Sequence, residues 1–345
     1  MRILITGNLG YIGSVMSNIV LNQGHEVIGY DIGYFKDCLT SEDIPVSKQI
    51  NKDLRKLEES DLENIDCVIH LASLSNDPLG AFMPELTEEI NYHATIKLAE
   101  IAKKKKVKRF IFASSQSIYG VSKIDKELDE DTSVKDPITA YAITKWKAEQ
   151  EIMQMANDNF IVCALRPSTV FGPSPRFRAD IVFNNLVACA YTSKKIEIWS
   201  DGSPWRPVVH IDDVCNAFIS CLLAPNEIIN KQAFNVGVPG GNYTVKDLAE
   251  AAQKCFPEAE LVFLNQTGND DRTYKVNFNK INSALKDYFK PIWNLDNGGL
   301  QLVKYFDQIN LKPEDFRGKK TMRLKQLTYL KENKFVNSTL EFVNQ

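Results

Sequence analysis

Three glycines spaced three apart, Gly7, Gly10 and Gly13, stand in "LITGNLGYIGS" between an apolar run and an amphipathic stretch, and nothing else in the chain restricts its fold as tightly. Glycines so placed mean a backbone that turns sharply and is approached closely, by a neighbouring element or by a ligand. "RILIT" before them reads as a buried strand and "SVMSNIVLNQ" after them as a helix. The start of such a helix presents unpaired N–H groups and the positive end of a dipole, which is a ready site for a phosphate. Glycine clusters also serve turns and helix packing, so the spacing alone leaves both readings open.

The alternation continues through "EVIGYD", "CVIHLAS", a helix around "NYHATIKLAEIAKKK" and "RFIFASS". Repeated strand and helix predict an α/β fold, a Rossmann-type doubly wound parallel sheet. The basic run "KKKKVKR" closes a helix just before a strand, where lysines are favoured by the dipole, and reads as a solvated helix end. After "FIVCALRPSTVFGP" the rhythm breaks into the Pro-rich "GPSPRFR", "VVHIDDVCNAFISCLL" reads as a return to the sheet, and the remainder from about Pro239 reads as helical and polar. The expected division is a Rossmann domain over residues 1–170 with 208–236 returning to it. A smaller, mostly C-terminal α/β substrate domain takes 171–207 and 237–345.

Several function classes recede on composition. A formal net charge of −3 offers no field to gather nucleic acid or an anionic membrane. Seven scattered cysteines without a C-x-x-C pair suit buried thiols in a reducing compartment, and four separated histidines suggest no metal site. The chain has no 18-residue apolar run, and its glycine stretch begins too early for a signal peptide, so a cytoplasmic, non-membrane protein is expected.

Two further patterns carry chemistry. Asp31 ends the second strand, where a carboxylate can accept from the adenosine ribose hydroxyls of a dinucleotide bound at the glycines. That carboxylate repels a 2′-phosphate and no arginine follows it, so NAD is favoured over NADP; the alternative is a turn residue. In "YAITK", Tyr141 and Lys145 are four apart and share one helix face, so the ammonium is expected beside the phenol, lowering its pKa toward a working base. Isolated, the same spacing is an ordinary solvated pair. "FASSQSIYG" ends a strand at the ligand-bearing edge and offers Ser115 to a substrate oxygen near Tyr141.

Taken in order, the three glycines, Asp31, "KDLRK" with Asp53, "HLAS", Asn91, "SSQSIYG", Tyr141 with Lys145, "LRPSTVFGP" and "WRPVVHIDDV" resemble an extended short-chain dehydrogenase/reductase. The chain is similar to the NAD-dependent nucleotide-sugar epimerase/dehydratase family over residues 1 to about 215, with "DDRTYKVNFNKI" a further echo and a tail from about Leu311 that matches nothing in the pattern. The resemblance implies that NAD is held by Gly7, Gly10, Tyr11, Ile12, Gly13, Asp31, Asp53, Leu54, His70, Leu71, Ala72, Ser73, Pro167, Tyr141 and Lys145. It implies a catalytic trio of Ser115, Tyr141 and Lys145. A nucleotide-diphosphate sugar would meet Ser75, Asn76, Ser115, Ser117, Thr169, Asn185, Arg206 and Arg272. Thr169, often Asn in the UDP-sugar enzymes, and Pro207, usually Asp, depart from the pattern and leave the nucleotide open. His210 and Asp212 also match, but read as polar groups supporting their loop.

The implied activity is C4 epimerisation through a transient 4-keto sugar, feeding polysaccharide biosynthesis. A C4 dehydrogenase or 4-keto-sugar reductase is the first alternative, and a silent NAD-binding regulator the second. Gln116 and Ser117 stand where the dehydratases of the family carry Asp-Glu, so elimination of water lacks its acid and base. A homodimer is implied, paired through the helices carrying Asn91 and Tyr141, with Ile152, Met153 and Met155 available for the interface or for the monomer core.

Overall fold

The computed structural model describes residues 1–40, 44–121, 126–264 and 273–343. Its strands, in chain order, are β1 (Arg2–Thr6), β2 (Glu26–Asp31), β3 (Lys48–Asn51), β4 (Cys67–His70), β5 (Arg109–Ala113), β6 (Ile161–Pro167), β7 (Thr169–Phe171), β8 (Lys195–Ile198), β9 (Trp205–His210), β10 (Gln232–Val236), β11 (Asn242–Thr244) and β12 (Glu260–Phe263). Seven of them make one wholly parallel sheet in the order β10-β6-β5-β4-β1-β2-β3. The chain winds outward in both directions from the β1–β4 pair, and the carboxyl ends of those two strands border a crevice.

Successive residues of each central strand go to opposite faces. Ile3, Ile5, Ile69 and Ile111 join one apolar cluster with Met16 and Val20 of the helix Tyr11–Asn22 and with Val214 and Phe218 of Ile211–Leu223. Leu4, Val68, Phe110 and Phe112 join another with Leu98 of Ala94–Lys104 and Ala148 and Ile152 of Ala140–Met155. Both faces are dry, which is why these strands are runs of Ile, Val and Phe rather than alternations with polar residues.

The first cluster passes without a break into the second region through Phe171, Phe183, Leu248 and Leu302. There β11, β9 and β7 make a three-stranded sheet, and β12 pairs with β8. "VVH", read above as returning to the main sheet, lies in β9 between β7 and β11; the helix that follows it packs on the main sheet and β10 supplies the new edge. The remainder after Pro239 is helical as expected but also contributes β11 and β12. Ile152 is fully buried in the monomer, while Met153 and Met155 are half-buried against the same cluster. Among the described residues no helix is long and apolar enough to cross a membrane, and no group of three or more His, Cys, Asp or Glu is arranged to hold a metal ion.

Candidate active site

The glycine loop is built by contact distances that only glycine tolerates. Gly7 has φ +73°, and a Cβ there would lie 2.7 Å from Ala72 N at the end of β4. A Cβ on Gly13 would stand 2.1 Å from Gly7 O, backbone against backbone. Gly10 caps the helix Tyr11–Asn22, whose first N–H groups therefore face the crevice. Asp31 is bound into the same loop: Oδ2 accepts from Leu9 N at 3.3 Å and Oδ1 from Gly33 N at 2.7 Å. Burial nevertheless raises its pKa, so the carboxylate gains from any further donor, such as a ribose hydroxyl.

These residues border a cleft of about 510 Å³ over the carboxyl edge of the sheet. Gly7, Gly10, Tyr11, Ile12, Gly13, Asp31, Asp53, Leu54, Leu71, Ala72, Ser73, Tyr141, Lys145 and Pro167 all line it, as do Ser75, Asn76, Ser115, Ser117, Thr169 and Arg206. The Ser73 hydroxyl is buried there with no partner among the described residues. An orphaned donor, a glycine cradle that a Cβ would fill and a helix N-terminus together fit a bound dinucleotide.

Three anticipated positions stand apart. His70 does not reach the cleft: its Nδ1 lies 2.6 Å from Thr6 Oγ1 and its Nε2 2.7 Å from Thr95 Oγ1, so it is a buried group joining β1, β4 and the helix behind them, with its pKa held well below the usual value by desolvation. Asn185 points the other way along its helix, donating to Ala179 O at 2.7 Å and accepting from Arg317 at 3.2 Å. Its neighbour Asn184 is the one turned inward, donating to Tyr11 Oη at 3.1 Å and accepting from Gly172 N at 2.9 Å. Arg272 lies outside the described residues. His210 is a helix cap, accepting from Asp212 N at 3.2 Å and stacked 4.1 Å from Trp293, as its structural reading required.

The helix Ala140–Met155 starts on Thr139, which accepts from Ala142 N at 3.2 Å and donates to Asp77 at 2.5 Å. It thereby places Tyr141 in the lining of the cleft, where a Cβ on Gly80 of the neighbouring helix would lie 3.0 Å from Tyr141 N. The Tyr141 phenol lies within reach of Ser115, which caps the turn after β5. Burial pushes the phenol up to about 12; Ser115 is the chief group opposing that rise and Arg178 adds to it. Lys145, one turn beyond Tyr141 on the same helix, lines the same cleft. It is 2% exposed and reaches inward, donating to Ala113 O at 2.8 Å over the ring of Phe112, and desolvation lowers it to about 7.

Other residues of the site escaped the sequence reading. Glu149, two turns beyond Tyr141, pairs with Arg166 of β6 at 2.5 Å, with both side chains 3% exposed, and so bolts the catalytic helix to the sheet. Arg178 forks onto Asp180 with two 2.9 Å hydrogen bonds, and Asn76 donates to the same carboxylate at 3.0 Å. The Pro-rich "GPSPRFR" was the available signal for Arg178. Gln116 is spent on backbone, donating to Arg166 O at 3.1 Å and Val236 O at 3.4 Å.

The family model described as "NAD dependent epimerase/dehydratase family" matches residues 3–237. The chain belongs to that family. As a family member its cofactor is NAD, and the cradle described above is where the family signature lies. A UDP-glucuronate 4-epimerase of Thermodesulfobacterium geofontis is 28% identical, over 88% of this chain and 95% of its own length. An uncharacterized UDP-glucose epimerase of Bacillus subtilis, YtcB, is 25% identical over 90% of this chain and 99% of its own. Among solved structures, MoeE5 in complex with UDP-glucose and NAD superposes with a TM-score of 0.77 at 25% identity, over 90% of this chain and 100% of that one.

Proposed function

We propose that this family member epimerises a nucleotide-diphosphate sugar at C4 through a transient 4-keto sugar, with NAD restored in each turnover. The observation that carries the reading is the Tyr141–Ser115 pair, which opens on the same cleft as the glycine loop and Asp31. The UDP-sugars named for its relatives support the substrate class.

In this reading the glycine loop and the helix behind it take the cofactor diphosphate, and Asp31 takes the adenosine ribose. Lys145 keeps one N–H on Ala113 O and has two left for the other ribose. NAD when bound supplies a hydride acceptor that later returns the hydride. Tyr141 takes the proton from the C4 hydroxyl and gives it back after the hexose has turned, while Ser115 holds the same oxygen. Its high pKa in the ligand-free protein makes added positive charge in the cleft a requirement for the phenolate. Arg206, which also lines the cleft, suits the substrate diphosphate, retaining the nucleotide while the sugar turns.

Chemistry stays at C4 in this reading because Gln116 and Ser117, which follow Ser115 in the cleft lining, carry no carboxyl group for elimination. Gln116 is an amide tied to two carbonyls, and Asp180 is held below the usual carboxylate range by Arg178, so it stays ionised. The test is NMR and mass spectrometry of nucleotide hexoses incubated with the protein. A C4 epimer of unchanged mass is expected; a product lighter by water, or by carbon dioxide from a uronic acid, overturns the reading. Pairing of two copies beside the helix Ala140–Met155 belongs to the same proposal, supported by the half-buried Met153 and Met155, and sedimentation showing only monomer at micromolar concentration counts against it.

A further inference from the structure

The closing segment of the chain crosses the cofactor cleft and puts an arginine into it. On one bank, Thr321 O accepts from Ala179 N at 2.9 Å and Arg323 Nη2 donates to Arg176 O. On the other, Gln326 donates to Tyr34 O at 3.3 Å, Tyr34 donates to Leu340 O at 2.7 Å, and Arg55 donates to Thr339 O at 2.8 Å. Leu327, Leu330, Val336 and Leu340 pack on Tyr34, Leu74, Leu79 and Ile90 in an apolar cluster of their own. The segment therefore joins the Asp31–Phe35 side of the cleft to the 174–181 side, and it lies beyond the part of the chain that carries the family signature.

Arg323 opens the helix Arg323–Glu332 and is 2% exposed, yet it lines the cleft. Its guanidinium lies 4.8 Å over the ring of Phe35, and its charge acts on Asp31 and Asp180. Nη1 has no hydrogen-bond partner among the described residues. Desolvation lowers its pKa to about 10. A buried guanidinium with an unused N–H is costly unless a ligand completes it, and its fork of donors matches phosphate oxygens. Arg323 lines the same cleft as Gly7, Gly10 and Gly13, the loop on which a dinucleotide carries its diphosphate.

We propose that Arg323 is a cofactor-binding residue whose Nη1 donates to the diphosphate of NAD, and that residues 321–342 form a strap that keeps the cofactor on the protein between turnovers. The retention half of the proposal rests on the reading that NAD is restored in each cycle.

Cofactor retention by the full chain is the test. Wild type and Arg323→Gln are purified without added NAD, the NAD released on denaturation is quantified, and NAD is titrated back into stripped protein by calorimetry. Wild type should carry close to one NAD per chain. Arg323→Gln should lose most of it, with Kd raised roughly 10- to 100-fold, the scale of one charge-assisted hydrogen bond, and Arg323→Lys should fall between. The melting temperature of each cofactor-free variant separates loss of binding from loss of fold, and Arg323→Lys carries the test should the glutamine variant not fold. Unchanged NAD affinity in either folded variant overturns the proposal. So does a rise in KM for the sugar nucleotide with NAD affinity unchanged, which would put the guanidinium on the substrate. A wild-type preference for NADP that disappears in the variant would place it at the 2′ position and also overturn it. Because NAD itself is the readout, failure to find any C4 epimerisation would remove the proposed function and leave the Arg323 result standing.

Discussion

Removing the Glu149 carboxylate is expected to destabilise the protein by about 3–5 kcal/mol, the range for breaking a buried ion pair from one side. The structure shows why the upper part of that range applies. Arg166 Nε lies 3.2 Å from both carboxylate oxygens and Nη2 lies 2.5 Å from Oε1, while Nη1 donates to Tyr119 at 3.0 Å. Glu149→Ala leaves three of these contacts unmade on a guanidinium that is 3% exposed. Against a typical total stability of about 5–15 kcal/mol this is roughly a fifth or more, and at about 2–4 °C per kcal/mol it lowers the melting temperature by roughly 6–20 °C. Glu149→Leu combined with Arg166→Met removes both charges and should recover most of the loss, since Tyr119 keeps Asn235 as an acceptor at 2.9 Å. The assay is urea unfolding with saturating NAD, comparing midpoints at equal slope. A cost below about 1 kcal/mol for the single variant, or a double variant no more stable than it, would refute the reasoning.

Tyr141→Phe should lower turnover by at least roughly 10²-fold while leaving NAD bound, and unchanged turnover would remove the phenol from its role. Asp31→Ala should weaken NAD and relax discrimination against NADP; wild-type protein that binds NADP more tightly than NAD would contradict this. Lys145 is pulled from 10.5 to about 7 in the fold, so between those values the unfolded chain holds the proton that the native state has released. Burying Lys145 therefore costs stability, in full at about pH 7 and below, and the cost fades as pH rises through that window. Lys145→Met, studied without cofactor, should raise the melting temperature most near neutral pH and progressively less toward pH 10; a difference that ignores pH would count against the assignment.

Residues that act through local geometry were readable in the chain itself. Gly7, Gly10 and Gly13 mark a strand-to-helix turn, Asp31 ends the next strand, and Tyr141 and Lys145 share a helix face, because periodicity and backbone sterics operate over a few residues. The alternation of apolar strands with amphipathic helices similarly specified a parallel sheet, through the need to bury both of its faces. Where a side chain points within its helix or strand depended on what packs there. Lys145 found Ala113 O, His70 turned to Thr6 and Thr95, and of two adjacent asparagines Asn184 rather than Asn185 faced Tyr11. The strand "VVH" chose β7 and β11 over the main sheet for the same reason, since hydrogen-bonding partners are settled by neighbours remote in sequence. The strap is the extreme case: Tyr34 and Leu340 are 306 positions apart, and Arg323 reaches the cleft only because an apolar cluster holds its segment across the fold. Local patterns determined which elements form and which chemistry they carry, whereas long-range burial and charge pairing, which no spacing encodes, decided which of those groups meet in one cleft.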